Sequence, residues 1–238
     1  MRRVEHVMGL PVSVRVEGLA DEDAVDRAFA WLREVDERFS PFKPDSEVSR
    51  LGSGELDPTG VSPDLAHVLE LCEHYRLATG GAFDVRLPGR GLDPCAVVKG
   101  WAVQRAADLL VAGGATRFVV NAGGDVVVGG TWRVGVRHPL AADRLCAVLE
   151  VTSGAVATSG RYERGDHILD GRTGEPVTDL LSLTVFAPTL TVADATATAA
   201  FALGLDGIPW AAAQEGCEVY AVDASSRVYR TPGMPVAA

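Results

Sequence analysis

Positive charge is scarce in this sequence. Its 22 lysine and arginine residues face 32 aspartate and glutamate residues, which gives a formal net charge of −10 at pH 7. Proteins that bind nucleic acids usually carry excess positive charge, so this balance argues against a nucleic-acid partner. The same shortage provides no basic segment for an anionic membrane surface.

Long apolar runs and a signal sequence are also missing. No run of apolar residues reaches the length of a membrane-spanning helix. The N-terminal segment MRRVEHVMGLPVSVRV alternates apolar and polar residues and lacks the continuous apolar core of a signal peptide. We therefore expect a cytoplasmic protein that does not insert into a membrane.

Cysteine is rare, and repeats, low-complexity segments and linkers are not found. The four cysteines lie far apart with no metal-binding spacing, which predicts reduced, mostly buried thiols. The chain has 238 residues, of which 47% are hydrophobic, so it can bury a sizeable core. We expect one domain over residues 1–238.

Strand and helix patterns follow one another in blocks: strands, helices, strands, one helix, strands. This order predicts an α+β fold with mainly antiparallel sheets packed with helices. Helices are predicted at 21–39, from Ser62-Pro63 to Gly80, at 98–112, at 191–204 and near Trp210, with Ser46 as the N-cap of a short turn. Strands are predicted within 4–17, on both sides of a turn in 117–130, and at 131–138, 145–151, 154–159, 182–188, 217–222 and 226–230.

The helix at 191–204, TVADATATAAFALG, carries the first candidate site. Asp194 and Thr198 stand four residues apart and share one helix face. A carboxylate and a hydroxyl form an all-oxygen pair that suits Mg²⁺. The alternative is a capping box of Thr191 and Asp194, with Thr198 bonded to a backbone carbonyl.

Two further stretches combine charge with tight turns. NAGGDVVVGG places Gly123, Gly124 and Asp125 between strands, either as a close approach to a ligand or as a plain hairpin turn. DPCAVVKGW offers a carbonyl near Ala96 to a metal and Lys99 to a phosphate, unless Lys99 is an ordinary surface lysine.

The segment ATSGRYERGDHILDGRTGEP supplies hydroxyls and a histidine. Thr158 and Ser159 carry the hydroxyls, and His167 is a candidate general base. The alternative is a histidine that serves only in structural hydrogen bonds.

Taken in order, these stretches resemble the ApbE family, the FAD:protein FMN transferases. The matching pieces are VMG, FSPFKPDSEVSRL, GGAFD, LDPCAVVKGWAV, NAGGDVVVGG, WRVGVRHP, TSGRYERGDHILDGRTGEP and VADATATA. The resemblance implies a T-fold-related architecture, FAD as substrate, Mg²⁺ as cofactor, and transfer of FMN to a threonine or serine hydroxyl of an acceptor protein with release of AMP.

The resemblance also implies roles for individual residues. Asp194, Thr198 and the Ala96 carbonyl resemble the metal ligands, and His167 or Asp125 is the candidate base. The implied FAD contacts are Met8, Phe42, Ala82, Phe83, Asp84, Asp93, Lys99, Gly123, Gly124 and Ile168.

The chain departs from the family pattern in several places. Only VRLPGRGL separates GGAFD from DPCAVVKG, Leu10 replaces a threonine after Met8-Gly9, and Phe42 replaces a tyrosine. Such changes leave two alternatives open: hydrolysis of FAD to FMN and AMP, or flavin binding without catalysis.

Overall fold

One eight-stranded antiparallel sheet organises the computed structural model, which describes residues 1–18, 21–87, 89, 91–162 and 165–237. Its strands run in the order β1-β2-β5-β6-β7-β8-β9-β10, and β3 and β4 form a separate hairpin. The predicted α+β class with antiparallel pairing is confirmed. The strands are β1 Arg2–Val7, β2 Leu10–Glu17, β3 Arg86–Leu87, β4 Gly91–Leu92, β5 Arg117–Ala122, β6 Asp125–His138, β7 Ala141–Gly160, β8 Leu180–Ala187, β9 Glu218–Asp223 and β10 Val228–Arg230.

The described residues form six α-helices, which pack against the sheet and against one another. Helix α4 packs between α1 and α5, and α5 rests on β7 and β8. Most predicted helices are confirmed, including the Ser46 cap, whose hydroxyl accepts the N–H of Ser49. Helix α4 begins three residues before the predicted start. The helices are α1 Asp23–Phe39, α2 Glu47–Ser53, α3 Pro63–Ala78, α4 Cys95–Ala112, α5 Leu190–Ala202 and α6 Gly207–Ala212.

The sheet buries side chains on both faces. Alternation along β2 sends Val12, Val14 and Val16 into the large core under the helices. On β6, Val126 and Val128 instead enter a smaller core on the opposite face. This second core forms because the distal halves of β6 and β7 and the C-terminal segment fold across that face.

The strands predicted at 131–138, 145–151 and 154–159 are not separate elements. The first continues β6, and the other two belong to the single strand β7. The pairing of β6 with β7 shifts register between Gly129 and Trp132, and Gly130 has a φ of +74°. The glycines bend the ladder without ending it, so the sequence breaks were wrongly interpreted as strand ends.

Helix α5 is capped by a residue other than the one predicted. Thr189, not Thr191, is the N-cap, and its hydroxyl accepts the N–H of Val192. The capping-box interpretation of Thr191 and Asp194 is therefore wrong. Asp194 lies in the second turn and is buried, so its carboxylate is available to the interior of the protein.

The structure confirms the cysteine prediction in part. None of the four cysteines forms a disulfide; Cys72 and Cys217 are buried, and the other two are half-buried. Within the described ranges, no helix is both long and apolar enough to cross a membrane.

Candidate active site

A cavity of about 1070 Å³ opens where the sheet meets the helices. Its walls come from the β1–β2 turn, the loop after α1, the start of α4, the β5–β6 turn, the end of β7 and helix α5. Thirteen of the predicted site residues line it. They are Met8, Phe42, Phe83, Asp84, Asp93, Ala96, Lys99, Gly123, Gly124, His167, Ile168, Asp194 and Thr198.

Two predicted site residues lie behind this wall. Ala82 is fully buried, and its carbonyl accepts the N–H of Gly171 at 2.8 Å. Asp125 is also buried, and its Oδ1 accepts the N–H of Thr158 at 2.9 Å. Asp125 nevertheless acts on the cavity, because its other oxygen pairs with Lys99.

Lys99 joins two buried carboxylates at the floor of the cavity. Its Nζ lies 3.0 Å from Asp194 Oδ1 and forms an ion pair with Asp125 Oδ2. Burial would lower the pKa of Lys99, but the charges of Asp194 and Asp125 outweigh it and raise that pKa. Lys99 is thus held as a cation whose side chain is 30% exposed toward the cavity.

Asp194 and Asp125 are two carboxylates that share the single positive charge of Lys99. Burial raises the pKa of Asp194 to about 7; Lys99 opposes that rise, whereas Asp125 adds to it. Among the residues that the structure describes, none donates a well-formed hydrogen bond to the buried Oδ2 of Asp194. Such an orphaned oxygen marks a place where a cation would be stabilised.

The oxygen atoms around Asp194 fit a hard divalent cation. Thr198 stands one turn further along α5, its hydroxyl lies 3.2 Å from that of Ser159, and Ala96 lines the same cavity. No cluster of three or more His, Cys, Asp or Glu side chains occurs in the described part of the chain. A cation here would therefore depend on hydroxyl, carbonyl and water oxygens beside one carboxylate, a set that suits Mg²⁺.

Gly100 allows the helix that carries Lys99 to approach α5. A Cβ at this position would lie 2.6 Å from the Leu190 carbonyl oxygen and 2.8 Å from Asp194 Cβ. Any larger residue would push the two helices apart. The neighbour of Lys99 thus sets the distance between Lys99 and Asp194.

Phe42 projects from a loop that is held at several points. The Phe42 side chain is 85% exposed although it lines the cavity. The Ser46 hydroxyl donates to the Ser40 carbonyl at 2.6 Å, and Lys43 pairs with Asp36 at 2.8 Å. An exposed aromatic ring on a fixed loop can stack on a planar ring that enters the cavity.

His167 is half-buried on the cavity wall, close to the end of a turn. Its Nδ1 lies 3.0 Å from the Gly165 carbonyl oxygen. A carbonyl can only accept, so Nδ1 is the donor in this hydrogen bond.

Several polar cavity residues were not assigned a role from the sequence. Ser159 contacts Thr198, and Asn121 accepts the N–H of Gly124 at 3.0 Å. Tyr162 lines the cavity beyond the end of β7. The hydroxyl of Ser159 was visible in the sequence, but its place beside Thr198 depends on pairing across the sheet.

Comparison with known proteins agrees with the resemblance. A sequence model described as the ApbE family matches residues 8–88 and 85–221. An FAD:protein FMN transferase of Rhodobacter capsulatus is 30% identical over 95% of this chain and 43% of its own length. One of Escherichia coli K12 is 30% identical over 80% of this chain and 58% of its own length. The chain thus spans about half the length of these relatives.

Solved structures show the same fold. An ApbE protein of Thermotoga maritima superposes with a TM-score of 0.85 at 22% identity, covering 98% of this chain and 97% of its own. The flavin transferase ApbE of Vibrio cholerae gives a TM-score of 0.84, also at 22% identity and over 98% and 97% of the two chains.

Proposed function

Because the chain belongs to the ApbE family, we propose that it transfers FMN from FAD to a threonine or serine hydroxyl of an acceptor protein and releases AMP. The observation that carries this proposal is the Lys99–Asp125–Asp194 cluster with an orphaned carboxylate oxygen at the floor of a large cavity. Such a floor suits a negatively charged pyrophosphate together with a divalent cation.

The cavity has room for a dinucleotide. Its volume of about 1070 Å³ lies at the upper end of small-molecule sites. Phe42 at the mouth would stack on a ring of FAD, and the side-chain-free turn at Gly123 and Gly124 would let a phosphate approach the backbone. The remaining proposed FAD contacts are those lining residues that the sequence indicated.

Asp194, Thr198 and the Ala96 carbonyl are proposed to hold Mg²⁺. When bound, such an ion supplies positive charge that neutralises the phosphates and stabilises the charge that develops during phosphoryl transfer. Ser159 keeps the Thr198 hydroxyl in place. Lys99, a cation fixed by two carboxylates, is a second source of positive charge at the phosphates.

The proposed reaction exchanges the phosphoanhydride bond of FAD for a phosphate ester bond to the acceptor hydroxyl. The acceptor hydroxyl oxygen bonds to the phosphorus of the FMN half, and the bond from that phosphorus to the bridging oxygen breaks. AMP leaves with the bridging oxygen and its electron pair. His167, which lines the cavity, is the proposed acceptor of the hydroxyl proton.

Product analysis tests this function. The purified protein is incubated with FAD and Mg²⁺, with and without an acceptor domain, and AMP, free FMN and protein-bound FMN are measured. We expect bound FMN to appear in step with AMP. Free FMN in place of bound FMN would indicate the hydrolase, and FAD that stays intact would indicate a flavin-binding protein without catalysis.

The proposal also covers the boundaries of the domain and the cellular location of the protein. We propose that residues 1–238 form one transferase domain, since the sheet and the helices share a continuous core. The cytoplasmic location stays a prediction.

A further inference from the structure

A second, smaller cavity lies beside the one described above. It has a volume of about 380 Å³ and is lined by residues of β5, β6 and the end of β7. Five lining residues belong to both cavities, so the two meet at the β5–β6 turn. The shared residues are Asn121, Gly123, Gly124, Thr158 and Tyr162.

The wall between the two cavities is thin. Gly123 and Gly124, with φ values of +60° and +101°, present only backbone at the turn. Asp125 directly after them lines the smaller cavity, while its Oδ2 reaches the Lys99 of the larger one. A chain that occupies the smaller cavity therefore comes close to the floor where we place the pyrophosphate.

The two cavities differ in charge. The described lining of the larger one holds four acids and two lysines: Asp36, Asp84, Asp93, Asp194, Lys43 and Lys99. In contrast, the described lining of the smaller one holds two exposed arginines, Arg133 and Arg137, and one acid, Asp125, which is paired with Lys99. In a protein with a net charge of −10, this cavity is a local concentration of positive charge.

The arginines are placed to meet a partner. The Arg133 side chain is 73% exposed, and its carboxylate neighbour Glu150 is exposed and 3.8 Å away, which makes a weak pair. The Arg137 guanidinium lies 5.0 Å from the Tyr162 ring, at the junction of the cavities. Arg133 is therefore free to exchange a weak contact for a stronger one.

Aromatic side chains complete the lining of the smaller cavity, which we call the groove. Trp132 lies on its wall, with its Nε1 donating to the Gly129 carbonyl at 3.0 Å and the Arg117 guanidinium 4.0 Å from its ring. These contacts fix the Trp132 ring before any partner binds. Tryptophan, tyrosine and arginine are enriched among the residues that contribute most to binding at protein–protein interfaces.

We propose that this groove, lined by Trp132, Arg133, Arg137 and Tyr162, docks an extended, acidic segment of the acceptor protein next to its receiving hydroxyl. The proposal rests on the proposed function. The groove volume accommodates a few side chains rather than a folded surface, which favours an extended segment. Its charge favours aspartate and glutamate in that segment, and its junction with the larger cavity delivers the hydroxyl to the FMN phosphorus.

Labelled peptides test the docking step separately from the chemistry. Three short peptides share one central threonine and differ only in flanking aspartate, glutamine or lysine residues. Fluorescence anisotropy measures their affinity for the FAD-loaded protein, for Arg133→Glu, and for the control Arg50→Glu, which changes an exposed arginine outside both cavities.

We expect the aspartate peptide to bind best and to weaken as salt is raised. Arg133→Glu should weaken it about 3- to 10-fold, since a weak attraction is replaced by repulsion, and should favour the lysine peptide instead. The affinity of Arg133→Gln for the aspartate peptide should lie between those of the parent and Arg133→Glu. The affinity of Arg50→Glu should stay within about 2-fold of the parent. Neither Arg133 variant should change the affinity for FAD.

Three results would overturn the proposal: no binding of the aspartate peptide, equal binding of all three peptides, or equal losses in Arg133→Glu and Arg50→Glu. A loss of FAD affinity in Arg133→Glu would also overturn it, because the groove would then belong to the FAD site. FMN attached to the peptide is measured by mass spectrometry, independently of the binding assay. Peptide binding through Arg133 without attached FMN would support docking and refute the transferase function.

Discussion

Replacing Asp194 with asparagine provides a direct test of the proposed metal site. Asn has nearly the same shape, so Asp194→Asn removes the negative charge and leaves the packing of α5 unchanged. The buried Asp194 carboxylate has one oxygen without a hydrogen-bond partner among the described residues, and this oxygen is the proposed ligand. The charge on Asp194 is therefore the property that the substitution isolates.

The expected loss follows from the charge. Two unit charges about 4 Å apart at an effective dielectric constant of about 20 interact by roughly 4 kcal/mol. Removing a buried charge also relieves its desolvation penalty, which offsets part of this loss. We therefore expect a net loss of at least about 2.7 kcal/mol, or roughly 100-fold in Mg²⁺ affinity.

Calorimetric titration of the purified protein with Mg²⁺ measures this loss, and AMP release at limiting Mg²⁺ should decline with it. The matched control is Asp36→Asn, which neutralises another acid of the same cavity outside the proposed metal site and should change Mg²⁺ affinity less than about 2-fold. Circular dichroism verifies that both variants fold. Wild-type Mg²⁺ affinity in folded Asp194→Asn would refute the metal assignment.

Three other substitutions test neighbouring parts of the site. Phe42→Ala should weaken FAD binding by about 1 kcal/mol or more if a ring stacks there. Calorimetry should also show that the parent protein binds FAD more tightly than FMN. Equal affinities for the two flavins would mean that the adenine half is not recognised. His167→Ala should slow FMN transfer roughly 10²-fold with FAD and Mg²⁺ affinity unchanged; an unchanged single-turnover rate would leave His167 a structural role. Gly100→Ala places a Cβ 2.6 Å from the Leu190 carbonyl oxygen, so it should lower the free energy of unfolding by about 1–3 kcal/mol. An unchanged midpoint of denaturant unfolding would contradict the packing of α4 on α5.

Local sequence patterns were sufficient for most elements. The start of α3 at Pro63 follows from a serine cap and a proline at the first helical position, which act within one turn. The β1–β2 hairpin follows from alternation, with Met8 and Gly9 adopting positive φ at its turn. These features depend on residues that are close together in the chain, so the amino-acid sequence was enough to predict them.

Other features were wrong or missing because long-range packing decides them. Thr189 caps α5 in place of Thr191, since the choice between two nearby threonines depends on where β8 ends. The segments taken for three short strands form parts of β6 and β7, because two antiparallel partners can bend together at a glycine. No local signal distinguishes such a bend from a strand end.

The sequence alone determined the α+β class, most element boundaries, and which residues carry carboxylates, hydroxyls and arginines. Only the tertiary structure decided that Lys99, Asp125 and Asp194 meet, although 95 residues separate the first from the last. It also decided that no described residue donates a well-formed hydrogen bond to one oxygen of Asp194, and that the exposed Arg133 lines a groove joined to the larger cavity. Burial and charge pairing depend on which elements pack together, and that packing is a property of the whole fold.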